Sequence, residues 1–160
     1  MKKLFIIFAI MLITFASCKK EEPIYDVNQI QSTSYNANKN KLKSTAQYIS
    51  ILYANLFQKA LSANELVEIT RCIESIGDKE VAHEIVLSNF MNQTGVTLPS
   101  DSLMRADLDV FLEETYKRFY VRDITEAERE FFLKFFESHP DVSAEMVYSA
   151  FSLSNEYQFY

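Results

Sequence analysis

Reactive side chains are scarce in this chain of 160 residues, which has two cysteines, two histidines and no tryptophan. Cys18, Cys72, His83 and His139 are too few and too scattered to form a zinc site of nitrogen and sulfur ligands. The sequence has no Ser/His/Asp set, paired histidines or glycine-rich phosphate loop. We therefore expect no metal, no cofactor and no catalytic residue. The competing hypothesis is a small secreted hydrolase or redox-accessory enzyme.

Glycine and proline are also rare, with two and three residues, and alternating apolar stretches are few. This texture disfavours a β-sheet and favours an all-α domain. The net charge is −6, without a basic stripe, which argues against nucleic acid as a partner. An acidic chain also predicts no attraction to anionic lipid.

The first residues have the pattern of a secretion signal. Lys2 and Lys3 precede an apolar run from Leu4 to Phe15, broken only by Thr14. A helix of this length spans about 18 Å, too short for a bilayer. The stretch Phe15-Ala16-Ser17-Cys18 resembles the lipobox of bacterial lipoproteins. The resemblance implies that residues 1–17 are removed and that the thiol of Cys18 receives a diacylglycerol. The alternatives are an ordinary cleaved signal or an uncleaved anchor.

A second motif follows the lipobox. Cys18-Lys19-Lys20-Glu21-Glu22 resembles the export signal of surface lipoproteins in the Bacteroidota, in which a lysine precedes two acidic residues. The resemblance implies a lipid-anchored protein in the outer membrane that faces the cell exterior. The alternatives are the periplasmic face of that membrane and a charged tether without an export role.

The remainder divides into a polar tether and a helical domain. Residues 18–43 lack a helical period and predict a flexible tether, and residues 44–160 predict one domain. Two capping boxes begin at Ser62 and Thr125, and Gly77 fits the left-handed position after a helix. We predict helices over 44–59, 62–76, 78–91, 101–121 with a break near Asp107, 125–138, and from 141 onwards.

The predicted helices repeat. A shift of 63 residues places Tyr53 on Tyr116 and Ser62 on Thr125, and a shift of 66 places Leu87 on Leu153. We predict two related three-helix halves, about 45–93 and 107–157, packed as one bundle. The faces expected to meet are Leu56, Ile69 and Ile73 from one half and Phe119, Phe132 and Phe136 from the other.

The second half also carries a recognisable pattern. Tyr116-x-x-Phe119-Tyr120-x-Arg122-x-Ile124-Thr125-x-x-Glu128, with Leu153-Ser154-x-Glu156-Tyr157 after it, resembles a helical module of uncharacterised domains in planctomycete and other bacterial secreted proteins. Ile124 stands where that pattern has proline. The resemblance implies a helical texture and a secreted setting, and no activity.

Individual candidate residues have structural explanations. Glu65 and Glu128 occupy capping positions, and Lys59 and Arg122 suit the ends of helices. Cys72 aligns with Phe135 in the repeat, which predicts a core position. Phe131, Phe132, Phe135 and Phe136 form a stripe that we also assign to the core.

The C-terminal aromatic residues Tyr157, Phe159 and Tyr160 are the candidate interface, because chain ends fray and exposed apolar patches mark contacts. The alternative is that they close the bundle as part of its core. The favoured function is a non-catalytic binding or accessory subunit of a membrane assembly. Its expected partner is an outer-membrane protein, with a glycan as a further option. A structural or stress-related lipoprotein is the other hypothesis.

Overall fold

The computed structural model describes residues 39–159. The predicted signal peptide, the predicted lipidation and export residues, most of the predicted tether and Tyr160 lie outside this range. Within it the chain forms an all-α bundle without β-strands, and no helix there is long and apolar enough to cross a membrane. The helices are α1 (Thr45–Phe57), α2 (Ala63–Ser75), α3 (Lys79–Met91), α4 (Asp101–Ala106), α5 (Leu108–Tyr120), α6 (Glu126–Ser138) and α7 (Ala144–Leu153), followed by a 3₁₀ turn at Glu156–Gln158.

Each α-helix begins at a side chain that accepts a hydrogen bond from its first turn. These N-caps are serine, threonine or aspartate, the residue types whose short oxygen-bearing side chains satisfy the free N–H groups there. Asp107 ends α4 and caps α5, which confirms the predicted break. The capping box at Thr125 and Glu128 is confirmed. At Ser62 only one of the two bonds of the box forms: the Ser62 hydroxyl accepts from the backbone N–H of Glu65, and the Glu65 carboxylate accepts from that hydroxyl instead of from the Ser62 N–H.

The prediction for Gly77 is wrong. Gly77 does not adopt a positive φ, and α2 ends at Ile76 in extended conformation. The ammonium of Lys79 donates instead to the carbonyls of Ile73, Glu74 and Ile76, so a cation satisfies the end of the helix. The left-handed ends belong to α1 and α5, at Gln58 (φ 55°) and Val121 (φ 54°).

The two related halves are confirmed by the helix bounds. Adding 63 to the bounds of α1 gives those of α5, and adding 63 to those of α2 gives those of α6. The same shift converts the left-handed residue Gln58 into Val121 and the N-cap Ser62 into Thr125. Helices α3 and α7 complete the halves, and α4 lies in the connection between them.

The contact between the halves differs from the predicted one. Within each half the helices pack on one another, and the halves meet chiefly through α3 and α7 rather than through the apolar faces of α2 and α6. Tyr157 also joins them, because its ring lies 5.8 Å from that of Tyr48 in the first half and 5.8 Å from that of Phe119 in the second. Leu56, Ile73, Phe119 and Phe136 are buried as expected.

Candidate functional site

The predicted tether ends earlier than residue 43. Residues 39–43, which we call the strap, lie against the C-terminal end of the bundle. The backbone N–H of Lys43 donates to the carbonyl of Gln158 at 2.8 Å, and Leu42 forms an isolated antiparallel bridge with Phe159. The domain therefore begins by Lys39 rather than Ser44, and the described ends of the chain are joined.

Two lysine side chains hold the strap in place. The ammonium of Lys39 donates to the carbonyl of Tyr120 at 2.5 Å and to Glu156 at 3.0 Å. Lys43 donates to the carbonyls of Tyr157 and Phe159, and its ammonium lies 4.2 Å from the centre of the Tyr157 ring. Burial, with the nearby charge of Lys39, lowers the pKa of Lys43 to about 8.

Arg122 is the centre of an ion cluster beside the strap. Its Nε and Nη2 donate to Glu156 at 2.7 and 2.8 Å, and its Nη1 and Nη2 donate to Glu128 at 2.9 and 2.6 Å. A fifth bond joins Nη1 to the carbonyl of Asp123 at 3.1 Å. A guanidinium has five N–H donors, so this one has none left for a ligand. Arg122 therefore fixes the α5–α6 turn to the 3₁₀ turn.

The carboxylates of the cluster are held in their charged form. Burial raises the pKa of Glu128, but the hydrogen bonds from Arg122 and Thr125 outweigh it and bring the pKa to about 2. Hydrogen bonds from Arg122 are the main reason that the pKa of Glu156 is also lowered, and Lys39 adds to the effect. The cluster thus has no carboxyl group poised for proton transfer near neutral pH.

The first half has no counterpart of this cluster. Under the repeat shifts Lys59 corresponds to Arg122, and Phe90 corresponds to Glu156. Phe90 instead packs edge-on against Tyr53 and Phe57, at 5.4 and 5.9 Å between ring centres. The equivalents of Tyr53 and Phe57 in the second half, Tyr116 and Tyr120, are also aromatic and pack edge-on at 5.3 Å. The halves therefore differ at the residue that meets this pair: it is Phe90 in the first half and Glu156, bound to Arg122, in the second.

The expected C-terminal interface is wrong for Tyr157. Its side chain is 0 % exposed, and its hydroxyl accepts a hydrogen bond from Asn55 at 3.0 Å. Phe159 is half-buried beside the strap, and Tyr160 lies outside the described residues. Tyr157 belongs to the core because its ring packs against the rings of Tyr48 and Phe119, with the ammonium of Lys43 from the strap beside it.

The exposed aromatic surface lies on α6 instead. Phe131 is 64 % exposed, so the assignment of the whole stripe to the core is wrong. Phe131, Phe135 and His139, one helical turn apart, form what we call the α6 ridge. The ring centres of Phe131 and Phe135 lie 6.3 Å apart, and those of Phe135 and His139 lie 4.3 Å apart. The ring planes are nearly parallel in both pairs. Phe132 and Phe136 face inward.

Cys72 and His83, the remaining candidate residues, do not form a site with other reactive side chains in the described bundle. Cys72 is exposed on α2, so its assignment to the core is wrong. His83 is half-buried, with its ring stacked 4.0 Å from that of Tyr48, and burial followed by the charge of Lys79 lowers its pKa. Within residues 39–159, no group of three histidine, cysteine or acidic side chains is placed to hold a metal ion.

Comparisons with protein-family models, with curated proteins and with solved structures find no match to this chain. The features of the chain that bear on function are the motifs at the N-terminus and two surfaces of the bundle. One surface is the corner where strap and ion cluster meet, and the other is the α6 ridge.

Proposed function

We propose that this protein is a lipid-anchored, non-catalytic binding or accessory subunit of an outer-membrane assembly, displayed on the cell exterior. The observation that carries the proposal is Phe15-Ala16-Ser17-Cys18 followed directly by Lys19, Lys20, Glu21 and Glu22. The first motif predicts a lipid anchor, and the second predicts export to the cell surface. The satisfied hydrogen bonds of Arg122 favour a structural role for the ion cluster over catalysis.

The α6 ridge is the surface that we assign to a protein partner. Its rings expose apolar faces beside charged neighbours such as Glu130 and Lys134, the composition of an interface with an apolar centre and a polar rim. Phe131 contributes a large rigid side chain that would lose little conformational entropy on contact. If a glycan were found to stack on these rings, the ridge would be a glycan-binding surface rather than a protein interface.

Lipidation is tested by feeding cells an alkyne fatty acid and following its attachment to the protein. We expect label on the wild type and none on Cys18→Ala, which should leave the membrane fraction or persist as a precursor. An unlabelled wild-type protein would refute the anchor.

Replacing Lys20, Glu21 and Glu22 by alanine should keep the label but protect the protein from protease added to intact cells. Equal protection of wild type and variant would refute surface display.

Partner capture is tested by crosslinking on intact cells, followed by purification of the lipidated protein. We expect Phe131→Ser to lose the crosslinked partner, because this change removes the exposed phenyl ring of the ridge. Val67→Ser is the matched control, since Val67 is an exposed apolar residue on α2, which the repeat relates to α6. If both variants capture the same partner as the wild type, the ridge is not the interface.

A further inference from the structure

The corner where the strap meets the bundle differs in charge from the rest of the chain. The chain has a net charge of −6. In the corner, basic side chains outnumber acidic ones: Lys39, Lys41, Lys43, Lys117 and Arg122 lie with Asp123, Glu128 and Glu156. Lys41 is exposed, and its ammonium makes no hydrogen bond or ion pair within the described residues. A positive charge is therefore available to an outside partner at this point.

Two apolar side chains in the same corner are exposed to solvent. Leu42 of the strap is 65 % exposed, and Val121 of the α5–α6 turn is 84 % exposed. Lys39 links the strap to that turn through the carbonyl of Tyr120. Exposed aliphatic side chains beside unpaired lysine are the combination with which proteins contact the interface of an anionic membrane.

The conformation of Val121 adds a second observation. Its φ is 54°, in the left-handed region that β-branched residues avoid. The equivalent residue of the first half, Gln58, has the same conformation with a polar, unbranched side chain. The turn therefore presents an apolar side chain outward at a position where the backbone favours glycine or asparagine.

We propose that this corner rests on the anionic bilayer to which the lipid on Cys18 is attached. The inference builds on the proposed lipid anchor. Residues 19–38 join that lipid to Lys39, and a segment of this length spans at most about 70 Å. The corner is thus held near the bilayer at a high effective concentration, so a weak contact is sufficient. The net charge of the whole chain predicted no attraction to anionic lipid. That charge is a sum over the whole surface, whereas only the corner would face the bilayer.

In this arrangement Lys41 pairs with lipid phosphates, while Leu42 and Val121 enter the headgroup region. Lys39 and Lys43 keep their ammonium groups on carbonyls of the corner and hold the strap in the shape that exposes Leu42. The contact fixes the orientation of the domain, because the strap is bonded to the bundle rather than hinged on it.

The contact is tested with the full lipidated chain in vesicles of phosphatidylcholine, with and without phosphatidylglycerol. A bimane label is attached to V121C in a Cys72→Ser background, and brominated lipids quench it by proximity. We expect loss of emission in the anionic vesicles and a smaller loss in neutral ones. Lys41→Glu should reverse the loss in anionic vesicles. L42C supplies a second label position, and circular dichroism verifies that each variant keeps its helix content.

The native thiol Cys72, labelled in the otherwise unchanged chain, is the matched control because it is exposed on α2. Equal quenching at positions 121 and 72 in anionic vesicles, or an absence of quenching at 121 and 42, would overturn the inference. Flotation of the same samples separates the two proposals. A chain that does not float with vesicles lacks its anchor, whereas a chain that floats without quenching is anchored but does not lie on this corner.

Discussion

Replacing Arg122 by alanine should destabilise the domain by about 2–3 kcal/mol at neutral pH. The change removes five hydrogen bonds, four of them to carboxylates, and leaves Glu128 and Glu156 near each other with Lys39 as the remaining cation. A hydrogen bond to a charged group contributes about 1.5–3 kcal/mol. The side chains of Arg122 and the two carboxylates are 21 % and 31 % exposed, so water compensates part of the loss.

The pH dependence identifies the cause. The pKa of Glu128 is about 2 in the folded protein, against 4.5 as the ordinary value, and that of Glu156 is lowered too. A depressed carboxyl pKa stabilises the fold above the unfolded pKa, and this stabilisation is lost as the pH falls through the folded pKa. Without Arg122 most of this contribution is absent at every pH. The difference between wild type and variant should therefore shrink as the pH falls below 4.5 towards 2.

Urea unfolding followed by far-ultraviolet circular dichroism measures both effects. The matched control is Lys59→Ala, since Lys59 is the repeat equivalent of Arg122 and has no ion pair within the described bundle. It should cost less than about 0.5 kcal/mol. The ion cluster does not stabilise the fold in this way if Arg122→Ala costs no more than Lys59→Ala, or if its cost is the same at pH 7 and below the ordinary carboxyl pKa.

Other perturbations separate core from surface. Tyr157→Ala should lose about 3–5 kcal/mol in the same unfolding assay, because a buried aromatic ring is removed, and a loss below about 1 kcal/mol would contradict its burial. Val121→Gly should raise the midpoint by relieving about 1 kcal/mol of strain, and Gln58→Gly should gain less. Phe131→Ser should leave the midpoint within about 0.5 kcal/mol of the wild type, and a larger loss would place that ring in the core.

The helices and the repeat were predictable because their causes are local. A serine, threonine or aspartate before an apolar period marks the start of a helix, and Asp107 shows that a break can be located in the same way. The repeat shift was accurate because caps and helix ends, unlike surface positions, are constrained in both copies. The prediction for Gly77 was wrong because the ammonium of Lys79, which lies beyond α2, binds the last carbonyls of that helix. A glycine after a helix does not reveal this alternative.

Burial was harder to predict because it depends on which helices lie between others. The repeat aligned Cys72 with Phe135 and suggested a shared core position. Helices α2 and α6 take little part in the contact between the halves, so one face of each remains exposed. The residues of the ion cluster, in contrast, all stood in the module pattern: Arg122, Glu128 and Glu156. Their spacing in sequence did not show that they meet, because Glu156 reaches the α5–α6 turn only after α7 has returned along the bundle.

The place where the two halves differ explains why the second half carries ions. In the first half α3 continues into the connection to α4, and Phe90 closes the hairpin against Tyr53 and Phe57. In the second half α7 is followed by the 3₁₀ turn, which is hydrogen-bonded to the strap through Gln158 and Lys43. The planar guanidinium of Arg122 donates to both carboxylates, Glu128 and Glu156, in a directional arrangement that rings alone do not impose. The ion cluster thus joins the strap, the α5–α6 turn and the 3₁₀ turn, and Lys39 and Lys43 bind the strap to the bundle.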